Sequence, residues 1–320
     1  MLEPAELYEV AADAPQLDEP VLLVALEGFV DAGNAARLAV EALLADREAQ
    51  NVVRFDVDQL VDYRSRRPPL RFETDHWAAY DPPDLDVVAL SDTAAAGYLL
   101  LSGPEPDTQW ERFSAAVEQI VRRFGIRLVI NLTAIPMAVP HTRPIGVTAH
   151  GTRPELTEGH EAWFATAQVP GSAVGLMEFR LGEAGLDAMG FAVHVPHYLA
   201  RAEYPQAARV LLDHVGLAAG LYLPTEGLSK AAERAEAEIA EQVEGSEEVR
   251  QVVQALEQQY DTVSTGRGER SGLGLSGALP SADELAAEVE RFLAGHGDER
   301  NSDDEGDGNG DEGRGGAQPS

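Results

Sequence analysis

The chain reads as an α/β protein: a mostly parallel sheet in a three-layer α/β/α core, with a helical appendage after it. Three observations predict this. Short continuous apolar runs of strand length recur through the first 225 residues, as buried parallel strands require. Segments with apolar residues every three or four positions alternate with those runs. Beyond Leu223 the apolar runs stop and only helical periodicity persists.

The elements follow in order. Leu22 to Leu26 sits in the run VLLVAL and reads as a buried strand. Gly28 and Gly33 punctuate the next stretch. A helix then fits Asp31 to Asp46, capped by Asp31 or Asn34, with Leu38, Leu43 and Leu44 facing inward. Val52 to Val57 is a second strand. Residues 58–83 hold prolines at 68, 69, 82 and 83 and several arginines; this is too long for an ordinary connection and is either a functional loop or an inserted hairpin. Val87–Leu90 and Tyr98–Leu101 are short strands. Asp107 is expected to cap a helix in which Trp110, Phe113, Val117, Ile120, Val121 and Phe124 share a face, and Gly125 ends it. Leu128–Leu132 is a buried strand, Ile135–Pro144 a proline-rich loop and Ile145–Ala149 another strand. Ser172 caps a helix to about Leu186, Phe191–Val195 is a strand, and Pro205 opens a helix with Ala208, Leu211, Leu212 and Val215 as its stripe. Helices are expected at 229–244 and 246–260. A Gly/Ser-rich linker at 264–280 follows, then a helix started by the Ser281/Glu284 capping box. The expected organisation is a core at 1–225, a helical appendage at 226–294 and a disordered acidic tail at 295–320.

Composition bounds the function. The formal net charge is −31, so a broad basic face for nucleic acid is not expected. No run approaches the ~20 apolar residues of a membrane span. The opening MLEPAELYEV carries acids where a secretory signal carries basic residues, so a cytoplasmic location is expected. There is no cysteine, so disulfides and thiolate metal sites are excluded.

Four segments fall at expected strand ends, where open α/β sheets bind ligands. The first holds Glu27, Gly28, Asp31 and Asn34 before a helix N-terminus, a place that favours anions. Its two carboxylates oppose phosphate and suit a polar neutral group, an amine or a metal-bridged ligand. The same residues also suit a plain helix cap. The second is Ser102–Asp107, where Pro104 and Pro106 fix the direction of Glu105. The third presents His141, Thr142 and Arg143 among Pro136, Pro140 and Pro144. Arg143 has the fork that holds a carboxylate or phosphate, and His141 titrates near neutrality. The fourth carries His194 and His197, which point apart in an extended segment and do not imply a shared metal. No cofactor is expected, since neither a GxGxxG nor a Walker loop is present, and no GxSxG elbow supplies a nucleophile.

In EGFVDAGNAA at 27–36, LLLSGPEPDTQWERF at 99–113, PHTRPIGVTAH at 140–150, GSAVGLMEFRLGEAG at 171–185 and HVPHYLARAEYPQAA at 194–208 the chain resembles the PAC2 family, the proteasome assembly chaperone 2-like proteins, in its actinobacterial branch. The resemblance spans about residues 20–225. It implies a core similar to nucleoside phosphorylases and peptidyl-tRNA hydrolases, a homotrimer assisted by an inserted hairpin at 62–80, and C-terminal helices over the crevice as a lid. It further implies a non-catalytic assembly or ligand-binding protein linked to proteasome biogenesis, with a proteasome-related protein as partner. The alternative is an enzyme or sensor for a small polar or nucleoside-like molecule. Chaperones of this kind often end in hydrophobic–Tyr–any; Gln318-Pro319-Ser320 departs from that pattern.

Overall fold

The computed structural model describes residues 2–269 apart from 46, 161, 164 and 165. Of the Gly/Ser-rich linker expected at 264–280, residues 264–269 instead continue a helix; the rest of it, the helix expected after Ser281 and the acidic tail lie outside the described residues.

Strand β1 (Tyr8–Val10) and strand β2 (Val21–Glu27) open the chain. The continuous apolar run of β2 is explained by its two neighbours: Val21, Leu23 and Ala25 face one core cluster, and Leu22 and Val24 face another. Helix α1 (Ala35–Leu44) buries Leu38 and Leu43. Leu44 does not point inward as expected; it is exposed, because the step of about 100° from Leu43 carries it past the edge of the buried stripe of Leu38, Ala39 and Leu43.

Strand β3 (Gln50–Phe55) is followed by a hairpin of β4 (Leu70–Glu73) and β5 (His76–Tyr80), within the stretch that composition marked as unusual. Strands β6 (Asp86–Ser91) and β7 (Gly97–Pro104) pair antiparallel. Helix α2 (Trp110–Arg123) buries Phe113, Val117, Ile120 and Val121, and Gly125 follows it at φ +60°, a conformation glycine accepts without strain.

Strand β8 (Leu128–Met137) extends into the proline-rich segment expected to be loop. Strand β9 (Val147–Gly151) starts two residues later than the pattern suggests. Helix α3 (Ala173–Glu183) is capped by Ser172, whose Oγ accepts from Gly175 N–H at 3.0 Å. Strand β10 (Ala188–Pro196) is buried throughout, and helix α4 (Pro205–Ala219) buries the expected Ala208, Leu211, Leu212 and Val215. Helices α5 (Glu226–Gly245) and α6 (Glu247–Glu269) complete the described chain. None of the described helices is long and apolar enough to cross a membrane.

The eight-stranded sheet has the order β1-β3-β6-β7-β2-β8-β10-β9. The centre, β7-β2-β8-β10, is parallel. With β3 it makes five strands of one direction, opposed by β1, β6 and β9. One face packs on α1, α4 and α5 through Leu38, Leu211 and Leu228; the other packs on α2 and α3 through Phe113, Ile120 and Met177. That is the α/β/α layering expected, with antiparallel strands at both flanks.

Candidate functional site

Parallel neighbours end on the same side, so Glu27, Pro104, Met137 and Pro196, the last residues of β2, β7, β8 and β10, lie along one rim. Cross-links between the rim loops are visible. Gly33 N–H donates to the Ala200 carbonyl at 2.8 Å, Tyr204 N–H returns to the Gly33 carbonyl at 2.9 Å, and Asp31 bridges Ala134 in parallel fashion. Gly33 sits at φ +67°, and a Cβ there would stand 2.8 Å from the Tyr204 Cβ. Both backbone and space therefore call for glycine.

The carboxylates of this rim are largely committed. The Glu27 carbonyl accepts from Glu105 N–H at 3.0 Å and from Arg66 Nη1 at 2.8 Å. Glu105 is only 7% exposed, and its Oε1 accepts from Ala173 N–H at 2.7 Å, at the start of α3. Its other oxygen lies so close to Gly28 that an added Cβ would stand 2.2 Å away. Glu105 is thus a staple between two loops and a helix N-terminus, where a negative charge is favoured. Asp107 does not cap α2. Its Oδ2 accepts from Asp62 N–H at 2.7 Å and its Oδ1 from Arg66 Nη2 at 3.1 Å, while α2 begins after Gln109 at φ +58°. Asp107 instead ties down the root of the hairpin.

Asp31 is the residue that satisfies the start of α1. Its Oδ1 accepts from Ala36 N–H at 2.8 Å and its Oδ2 from Arg37 N–H at 3.0 Å. Burial pushes its carboxyl above the ordinary value, against the pull of those N–H groups. Asn34 offers no side-chain cap and sits at φ +50°.

His141 meets Tyr198. The Tyr198 hydroxyl accepts from His141 N–H at 2.9 Å and lies 2.7 Å from Nδ1. The hydroxyl keeps its hydrogen and a second lone pair after the backbone bond, so it can serve Nδ1 as donor or acceptor. Burial holds His141 below the ordinary histidine value and pushes Tyr198 up to about 12. His197 joins by edge contact, its ring 5.4 Å from that of Tyr198. Thr142 donates to Glu257, and Arg143 holds Asp261 bidentately at 2.8 and 2.7 Å, with Glu257 at 3.3 Å. Tyr260 Oη donates to the Pro144 carbonyl at 3.2 Å. Helix α6 therefore supplies the acidic partners of this loop.

His194 does not join the group. It lies on β10 between Val193 and Val195, which face the α1/α4 side, so strand alternation turns it to the α3 side. There it is fully buried, its Nε2 2.8 Å from Thr148 Oγ1, with the Trp163 ring edge-on at 4.4 Å. The described residues hold no group of three or more His, Asp or Glu placed for a metal ion. Two surface hollows, of about 470 and 340 Å³, are lined by Ala42, Arg47 and Pro224 and by Pro20, Gly97 and Gly220; neither is at the rim.

The structure thus joins Glu27, Gly28 and Glu105 in one cluster and His141, Thr142, Arg143 and His197 in another, with Asp31 and Asn34 at the start of α1. Tyr198, Arg66, Glu257 and Asp261 were not singled out from sequence. The spacing of Glu257 and Asp261, one helical turn apart, was the readable signal.

These features define a class: a doubly covered α/β sheet with loops bound together at its carboxyl rim and a hairpin rooted there. The chain belongs to the PAC2 family, whose model matches residues 25–243. It is similar to a Mycobacterium tuberculosis protein of unknown function, with 48% identity and a TM-score of 0.77 over 81% of this chain and 92% of that one. A Corynebacterium glutamicum protein of unknown function is similar at 38% identity and TM-score 0.77, over 83% and 99% of the two chains. A M. tuberculosis proteasome-assembly chaperone homologue is similar at 26% identity and TM-score 0.67, over 73% and 99%. No curated protein matches the chain.

Proposed function

We propose that this protein is a non-catalytic, cytoplasmic assembly protein linked to proteasome biogenesis, acting as a homotrimer through the hairpin at its rim. The observation that carries this is the hairpin itself. Every residue of β4 and β5 is exposed, including Leu70 (53%), Phe72 (55%), Trp77 (65%) and Tyr80 (50%). Leu70 pairs with Tyr80 and Phe72 with Trp77 across the two strands, whose rings meet at 5.1 Å in the second pair. A lone two-stranded hairpin is marginal in water, and aromatic residues gathered on it mark a surface meant to be covered. The proteasome link is supported by the assembly-chaperone homologue among the similar structures. The rim supports the non-catalytic reading: its Glu105, Asp31 and Arg143 are held by partners within the chain.

The test is sedimentation of the full chain beside a variant with Leu70, Phe72, Trp77 and Tyr80 all changed to Ser, paired with native mass spectrometry of protein drawn from its host. A trimer that falls to monomer in the variant, with proteasome subunits attached to the wild type, is expected. A wild-type monomer refutes the self-association, and a wild type free of proteasome subunits refutes the link.

A further inference from the structure

The α3 side of the sheet carries polar residues where a covered parallel sheet normally shows large apolar ones. On β8 the α1/α4 face presents Leu128, Ile130, Leu132 and Ala134. The opposite face of the same strand presents Asn131 and Thr133 after Val129. On β10 that face presents Gly190, Ala192 and His194, and its neighbour β9 presents Thr148 and His150 in register with Ala192 and Gly190.

Two of these residues form a chain with Glu178 of α3. Asn131 Nδ2 donates to Glu178 Oε2 at 2.7 Å, and Glu178 Oε1 lies 2.8 Å from His150 Nδ1. The carboxylate thus orients both its neighbours, and it favours the His150 tautomer that carries hydrogen on Nδ1, leaving Nε2 as an acceptor. The Cε1–Nε2 edge of the ring sits against Gly190: a Cβ there would stand 2.3 Å from His150 Cε1, 2.6 Å from Nε2 and 3.1 Å from Asn131 Cβ. Gly190 has no positive φ, so it is close approach and not backbone conformation that its lack of a side chain serves.

Asn131 is fully buried, yet its Oδ1 has no hydrogen-bond partner among the described residues. The carboxylate on Nδ2 fixes which way the amide faces, so this oxygen is the acceptor left over. A buried acceptor without a donor has lost its water and gained nothing in return, so a donor placed there is favoured. His150, with its side chain 44% exposed, marks where the array reaches the surface. The two vacant acceptors flank one glycine, beside an anionic carboxylate.

We propose that Asn131, Glu178 and His150 form a binding site for a small primary amine, which donates N–H groups to Asn131 Oδ1 and His150 Nε2 while Glu178 balances its positive charge. The site is on the sheet face away from Tyr198 and α6, and its test reads it apart from self-association. Full-length protein labelled with ¹⁵N-histidine is titrated with methylammonium chloride, with tetramethylammonium chloride as the donorless control. His150, assigned by loss of its signals in His150→Gln, is expected in the Nδ1–H tautomer and to shift saturably with methylammonium alone. A His150 in the Nε2–H tautomer, or equal responses to the two cations, overturns the proposal. Gly190→Ala, which crowds the imidazole without touching α3, is expected to abolish the response in a protein that keeps its circular dichroism; a retained response also overturns it.

Discussion

Substituting Gly28 with Ala isolates the close approach at the rim, because Gly28 needs no left-handed backbone. The new Cβ would stand 2.2 Å from Glu105 Oε2 and 2.9 Å from its carboxyl carbon. Glu105 is 7% exposed and cannot simply swing into water. It must give up the 2.7 Å bond from Ala173 N–H or push the 27–36 loop outward. A lost charge-assisted hydrogen bond costs about 1.5–3 kcal/mol, and removing the charge from the start of α3 adds about 0.3–1 kcal/mol. Gly28→Ala should therefore destabilise by roughly 2–4 kcal/mol, measured by urea unfolding at pH 7. The cycle with Glu105→Ala is the sharper reading. In the double variant there is no carboxylate left to clash, so the two costs should fall short of additivity by at least about 1.5 kcal/mol. A Gly28→Ala protein within ~0.5 kcal/mol of wild type, or additive costs, would refute the staple.

The remaining predictions concern pH, the core and α6. His141 is held below its usual value of 6.5 in the folded state, so the unfolded chain binds more protons there; its contribution is present above 6.5 and is lost as pH falls through the lowered folded value. Asp31 works with the opposite sign, being raised above 3.8, so its effect is to penalise the fold above that range and to relax as pH falls toward 3.8. The wild type minus His141→Gln difference in unfolding free energy should thus shrink as pH falls below 6.5, and a flat difference would show that His141 is not held neutral. Phe191→Ala removes a fully buried ring and should cost about 3–5 kcal/mol by the same unfolding assay. Asp261→Asn with Glu257→Gln removes both acidic partners of Arg143, and should raise the rate of proteolytic nicking within α6 while leaving the core transition in place; unchanged nicking would mean α6 is held by packing alone.

The layers were legible because strand runs and helix stripes are local signals. VLLVAL at 21–26 is apolar on both faces, and β2 has parallel neighbours on both sides. The stripe from Phe113 to Val121 needed only its own periodicity. Less legible were features decided by neighbours far along the chain. Asp107 has the form of a cap, but Asp62 and Arg66 compete for it from the hairpin root, some forty residues before it. His194 and His197 point apart, as their spacing says, but the burial of His194 against Thr148 and Trp163 depends on residues far along the chain. The Asn131–Glu178–His150 chain joins three elements, and none of its members stands in a recognisable spacing with another.

Arg66 connects the rim to the hairpin root directly. Its guanidinium donates at 2.8 Å to the Glu27 carbonyl and at 3.1 Å to Asp107, while the Leu60 carbonyl receives Asp107 N–H at 2.8 Å. The hairpin root therefore leans on the same backbone that Glu105 staples. If self-association covers Phe72 and Trp77, the partner can press on the hairpin only as firmly as this root resists. Arg66→Ala leaves the aromatic surface intact and removes the brace, and Arg66→Lys keeps the charge but not the fork that spans two acceptors. Both variants should weaken assembly in sedimentation and speed amide exchange at residues 61–66, with the urea midpoint of the core little changed, because the residues that Arg66 holds lie outside both apolar clusters. Full assembly in Arg66→Ala would show that the hairpin holds its own orientation, and that rim and hairpin are mechanically separate.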